Sequence, residues 1–90
     1  MDLRTYFDFD DLVNEAERLV IDELGRQLDE PENQDLLDDE NLVRDAAAYA
    51  LNHVRPMYRA NLLGRLYAKA VEDDEIAEVR SAVDEAISRI

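Results

Sequence analysis

The stretch Asp45-Ala-Ala-Ala-Tyr-Ala-Leu-Asn-His-Val-Arg-Pro-Met-Tyr58 decides the fold class of this 90-residue chain. Apolar residues recur through it at helical spacing, and they extend backward to Leu42 and Val43, with Asp39 or Asn41 placed to cap the helix start. Pro56 ends the helix, because the residue before a proline is pushed out of the α region. The spacing therefore predicts a helix through Leu42, Val43, Ala46, Ala47, Ala50, Leu51 and Val54. Its alanine triplet, Ala46 to Ala48, leaves room for another backbone to approach. Residues Arg55 to Arg59 follow as a rigid, extended connector.

Working outward, Leu12, Val13, Ala16, Leu19, Val20, Leu24 and Leu28 recur at three- and four-residue steps and predict a first helix over Asp10 to Leu28. Gly25 lies inside it and costs about 1 kcal/mol relative to alanine. Residues Asp29 to Asp39 read as an acidic, solvated loop that a helical turn at Leu36 and Leu37 would pin to the core. Beyond the connector, Leu62, Leu63, Leu66 and Tyr67 predict a third helix over Asn61 to Ala70. The stripe Ile76, Val79, Val83, Ala86, Ile87 and Ile90 then continues at helical spacing from Asp74. Glu72 to Glu75 contain neither Gly nor Pro, so these segments are either one helix or two. No segment shows strand periodicity. The expectation is an all-α fold: one small domain over residues 1–90, built from three to four helices.

A chain this short buries only about two-thirds or less of its unfolded surface, and homodimerisation is the simplest supplement available to it. The absence of cysteine removes disulfides, thiolate metal sites and a cysteine nucleophile, and a single histidine argues against a His-rich metal site. No cofactor is expected. The N-terminus lacks the apolar run of a signal peptide, and no run approaches the roughly 18 residues of a membrane span. The expectation is a cytoplasmic protein without membrane contact. A net charge of −13 opposes direct binding to duplex DNA.

The charge is sorted along the chain. Residues 41–70 carry five basic residues and one acidic residue, a net of +4, whereas the other sixty carry five basic and 22 acidic, a net of −17. Such an island suits an anionic ligand. It holds Arg44, Arg55, Arg59, Arg65 and Lys69 among Tyr49, Asn52, His53, Tyr58 and Asn61. Arg44 and Asn52 stand eight residues apart, about two helical turns, and share a face. Arginines converging there can grip phosphates bidentately and read guanine O6 and N7, while Tyr58 or Tyr49 stacks on a base. The candidate ligand-binding set is Arg44, Asn52, Arg55, Tyr58, Arg59 and Arg65. In the competing reading, these arginines form salt bridges with the acid-rich remainder of the surface. His53 suits a helix C-terminus, where its charge complements the dipole. No nucleophile, positioned base or Gly-rich phosphate loop is present, so no enzymatic activity is expected.

The stretch Asp45 to Tyr58, followed by Gly64-Arg-Leu-Tyr-Ala68, resembles the late competence development protein ComFB family. That family carries a segment like Ala-Tyr-Ala-Leu-Asn-Arg-Leu-Pro-Pro-Xaa-Tyr, then a Gly and a long C-terminal helix. Ala16-Glu-Arg-Leu-Val-Ile-Asp-Glu23 echoes its opening helix. The chain departs at His53-Val54-Arg55-Pro56, where the family has Arg-Leu-Pro-Pro. The resemblance implies a small, helical, homodimeric, non-enzymatic receptor for cyclic di-GMP, with cyclic di-AMP as the second candidate. It also implies an effector, such as a transcription regulator, that receives the signal. The alternative function is a ligand-free interaction module that uses the basic island and the amphipathic C-terminal helix.

Overall fold

The computed structural model describes residues 1–60 and 73–89. In chain order these form a 3₁₀ turn (Leu3–Thr5), β1 (Val13–Asn14), α1 (Glu15–Leu28), a 3₁₀ segment (Pro31–Asp38), α2 (Glu40–Leu51), β2 (Tyr58–Arg59) and α3 (Asp73–Arg89). The small helical domain expected from the sequence is present, with one addition: β1 and β2 form an antiparallel ladder that pairs Val13 with Arg59 and Asn14 with Tyr58. Two residues per strand are too few to show a period of two.

α1 begins at Glu15, not at Asp10. Asn14 is extended (φ −92°, ψ 106°), and its side chain caps the helix by accepting from the Ala16 N–H. With Val13 and Asn14 committed to the ladder, Leu12 is left outside the helix and exposed. Ala16, Val20, Leu24 and Leu28 form a row at four-residue steps and are buried. Gly25 faces open space, with nothing within 4 Å of where a Cβ would lie. The acidic loop winds into 3₁₀ geometry after Pro31. Its Leu36 packs on the core, whereas Leu37 stays exposed.

Asp39 caps α2, accepting from the Asn41 and Leu42 amides at 3.0 and 3.2 Å. The helix stops at Leu51, three residues short of Val54. Asn52 N–H turns back to Ala48 and Tyr49, and His53 N–H to Ala50, which closes the last turn before Pro56 is reached. Of the alanine triplet only Ala46 is buried; Ala50, one turn on, is the second buried alanine of α2. α2 packs most extensively against α3, whose Val79, Ala82, Val83 and Ala86 share the core with α1 and α2. Among the described residues, five of the ten buried hydrophobic side chains are alanines. They let helices approach closely but contribute little apolar area, at about 25 cal/mol per Å². The third helix expected over Asn61–Ala70, and the question of one helix or two after Asn61, lie outside the described residues, as does Ile90.

Candidate functional site at the exit of α2

A single oxygen fixes the connector. Asn14 Oδ1, while capping α1 through the Ala16 amide at 3.1 Å, also accepts from the Met57 N–H at 2.8 Å. The Glu15 N–H in turn donates to the Met57 carbonyl at 2.8 Å. These bonds and the ladder place Tyr58 and Arg59 beside the start of α1. Asn14 was absent from the candidate set. Its local signal was legible, since Asn14-Glu-Ala-Glu17 has the spacing of a cap followed by an acid at the third helical position, but its bond to Met57 spans 43 residues.

Tyr58 is exposed and Arg59 is half-buried. Arg59 Nη1 donates to the Tyr58 carbonyl at 2.9 Å. Among the described residues, Arg59 is the island arginine with no ion-pair partner. Arg55 is engaged: its backbone N–H and its Nε each donate to Glu78 at 3.0 Å, and Asp74 lies 3.9 Å from the guanidinium. Glu78 hydrogen bonding, then its charge and those of Asp74 and Glu75, raises the Arg55 pKa further above its ordinary value. Arg44 is exposed and pairs with Glu40 one turn earlier. It stands about 12 Å of helix rise from Asn52. Asn52 occupies the C-cap and is exposed. Arg65, together with Lys69 and Asn61, lies outside the described residues. For Arg44 and Arg55 the salt-bridge reading therefore holds, while the α2 exit brings Asn52, Arg55, Tyr58 and Arg59 onto one short stretch of chain.

A second cluster adjoins this exit. The His53 ring stacks on Tyr49, with centroids 4.1 Å apart and planes 18° from parallel. His53 Nδ1 lies 2.7 Å from the Tyr49 carbonyl, as expected of a residue closing a helix C-terminus. The Arg89 guanidinium sits 5.2 Å from the Tyr49 ring centroid and pairs with Glu85 at 3.2 Å. Hydrogen bonding from Tyr49, then from Arg89, holds the Glu85 carboxyl below its ordinary pKa. Burial, then the bond to Glu85, pushes the Tyr49 hydroxyl up. Glu78, Glu85 and Arg89 thus line the side of α3 that meets the exit of α2. Sequence reading missed these partners because each is paired across the fold.

Among the described residues, no group of three or more His, Cys, Asp or Glu side chains is placed to hold a metal ion. No described helix is long and apolar enough to cross a membrane. A groove of about 290 Å³ between α1 and α3 is lined, among the described residues, by Leu19, Asp22, Glu23, Arg26, Ile76 and Val79, none of them from the island.

The family model for the late competence development protein ComFB matches residues 13–90. No curated protein and no solved structure matches the chain. The match begins at β1, so it takes in the ladder, the α2 exit and α3 and leaves out residues 1–12.

Proposed function

The chain belongs to the late competence development protein ComFB family, and from that premise we propose that it is a non-enzymatic, cytoplasmic receptor for a cyclic dinucleotide. Cyclic di-GMP is the preferred ligand, ahead of cyclic di-AMP, because arginine pairs bidentately with guanine O6 and N7. The protein works as a homodimer and passes the signal to an effector such as a transcription regulator.

The observation that carries this reading is the pairing of Arg59, without a carboxylate partner among the described residues, with the exposed ring of Tyr58 on a strand held by Asn14. Arg59 supplies a cation for a phosphate, and Tyr58 supplies a face for a base. Asn52 adds hydrogen bonds from the C-cap. Arg55 joins only after exchanging Glu78 for phosphate, so Glu78 sets a cost on binding. Arg44 and Arg65 complete the set of candidate contacts.

The interaction-module reading loses one of its two surfaces, since Val79, Ala82, Val83 and Ala86 of the amphipathic C-terminal helix are spent in the core. Isothermal titration of the purified chain with both dinucleotides decides between the readings. Binding that is lost in Arg59→Ala, weakened in Arg55→Ala and tightened in Glu78→Gln supports the receptor. Absence of heat with either ligand, checked by competition, rejects it.

A further inference from the structure

One clasp ties the exit of α2 to α3. Arg55 donates from its backbone N–H and from Nε to the two oxygens of Glu78, each at 3.0 Å, and its Nη2 lies 3.0 Å from Glu78 and 3.9 Å from Asp74. The charge of Glu75 reaches the same guanidinium. Backbone and side chain of one residue thus hold one carboxylate 23 positions away, which fixes the connector and the helix together. Arg55 falls where the chain departs from the family's paired prolines, so the clasp is a feature of this sequence.

The part of α3 that the clasp holds is otherwise weakly fastened. From Asp73 to Glu78 no residue is buried, and Val79 is the first of the helix to enter the core. Four of these six residues are carboxylates. Asp74 and Glu78 stand four apart on one face, a like-charge spacing that destabilises a helix. Arg55 lies against both and offsets their repulsion. An anion that pairs with this guanidinium meets the two carboxylates already on it, and like charges at such short range repel, so the anion enters only by expelling them. Segments with little buried apolar surface open first when a tie is removed. Asp73, Asp74 and Glu75 still complement the helix dipole, so the released turn frays without unfolding the rest of α3.

We propose that the Arg55 clasp is the output switch of the receptor: a ligand phosphate takes Arg55, Glu78 and Asp74 are expelled, and residues 73–78 of α3 detach from the α2 exit while Val79 to Ala86 stay in the core. The switch rests on the receptor reading and adds to it the element that reports the ligand. The same side chain that binds the phosphate is the one that lets go of the helix, so occupancy and release are a single event.

Amide hydrogen exchange on the full chain, read by NMR, tests the switch. Helical bonding pairs the Ala77 and Glu78 amides with the Asp73 and Asp74 carbonyls, so these two amides report on the first turn of α3. Saturating cyclic di-GMP should speed exchange at both several-fold and leave Val83 and Ala86 unchanged. Arg55→Ala should show the same fast exchange without ligand. Glu78→Gln should bind the ligand up to about fivefold tighter, the range an exposed ion pair carries, and should lose most of the ligand-induced acceleration. Binding that leaves Ala77 and Glu78 unchanged overturns the switch and leaves the receptor standing. Slow exchange at these amides in ligand-free Arg55→Ala, or an acceleration that survives intact in Glu78→Gln, overturns it equally. Absence of binding in the titration overturns the receptor reading and the switch with it, so the two failures are told apart.

Discussion

Replacing Asn14 with alanine removes one oxygen that serves two segments 43 residues apart. Loss of the α1 cap costs about 1 kcal/mol. The half-buried Met57 amide, left without its acceptor, adds about 1 kcal/mol, the low end of the penalty because water reaches it. The expected total of about 2 kcal/mol is large for a small domain and lowers Tm by roughly 8–16 °C. In urea, with a slope of about 1.5 kcal/mol/M, the midpoint falls by about 1.3 M. Asn14→Asp is the control. Both bonds are accepted by oxygen, and a carboxylate at a helix start is favourable, so this variant should stay within about 0.5 kcal/mol of wild type. Hydrogen exchange at the Met57 amide should accelerate in Asn14→Ala alone, and dinucleotide affinity should fall with it because Tyr58 and Arg59 lose their anchor. An Asn14→Ala loss no larger than that of a cap, with Met57 still protected, would refute the double role.

The remaining expectations are simpler. Gly25→Ala should raise stability by about 0.5–1 kcal/mol in thermal or urea unfolding, since the site is helical and a Cβ there meets nothing within 4 Å. Ala50→Leu should lower it by about 1–3 kcal/mol or more, because Ala50 is fully buried in the core that α2 shares with α3. The Arg26 hydrogen bond, helped by Gln27 and Arg80, holds the Glu23 carboxyl below its ordinary value of 4.5. Its contribution is therefore fully present above that value and lost as pH falls through the lower folded-state value. Glu23→Gln should lower stability at neutral pH and flatten the acid limb of a stability profile, and an unchanged acid limb would exclude Glu23 from that loss. Arg44→Ala should leave unfolding unchanged, as its partner Glu40 is on the same exposed helix surface and such pairs contribute little.

The sequence by itself determined α1, α2 and α3, narrowed the α2 cap to Asp39 or Asn41, and located the buried rows of α1 and α3 and the basic island. These follow from local spacing and from charge counted along one dimension. It missed the start of α1 by five residues and the end of α2 by three, because both ends are set by bonds to other parts of the chain or by turn closure. Leu12 and Val13 fit a helical stripe equally well until β2 offers Val13 a partner. Island membership likewise could not distinguish Arg55 from Arg59. The fold brings Glu78 and Asp74 of α3 to the first and no carboxylate among the described residues to the second, a difference fixed by how α3 packs against α2. Periodicity and composition report what each residue prefers; only tertiary packing decides which cation meets which carboxylate, because that distance is set across the fold and not along the chain.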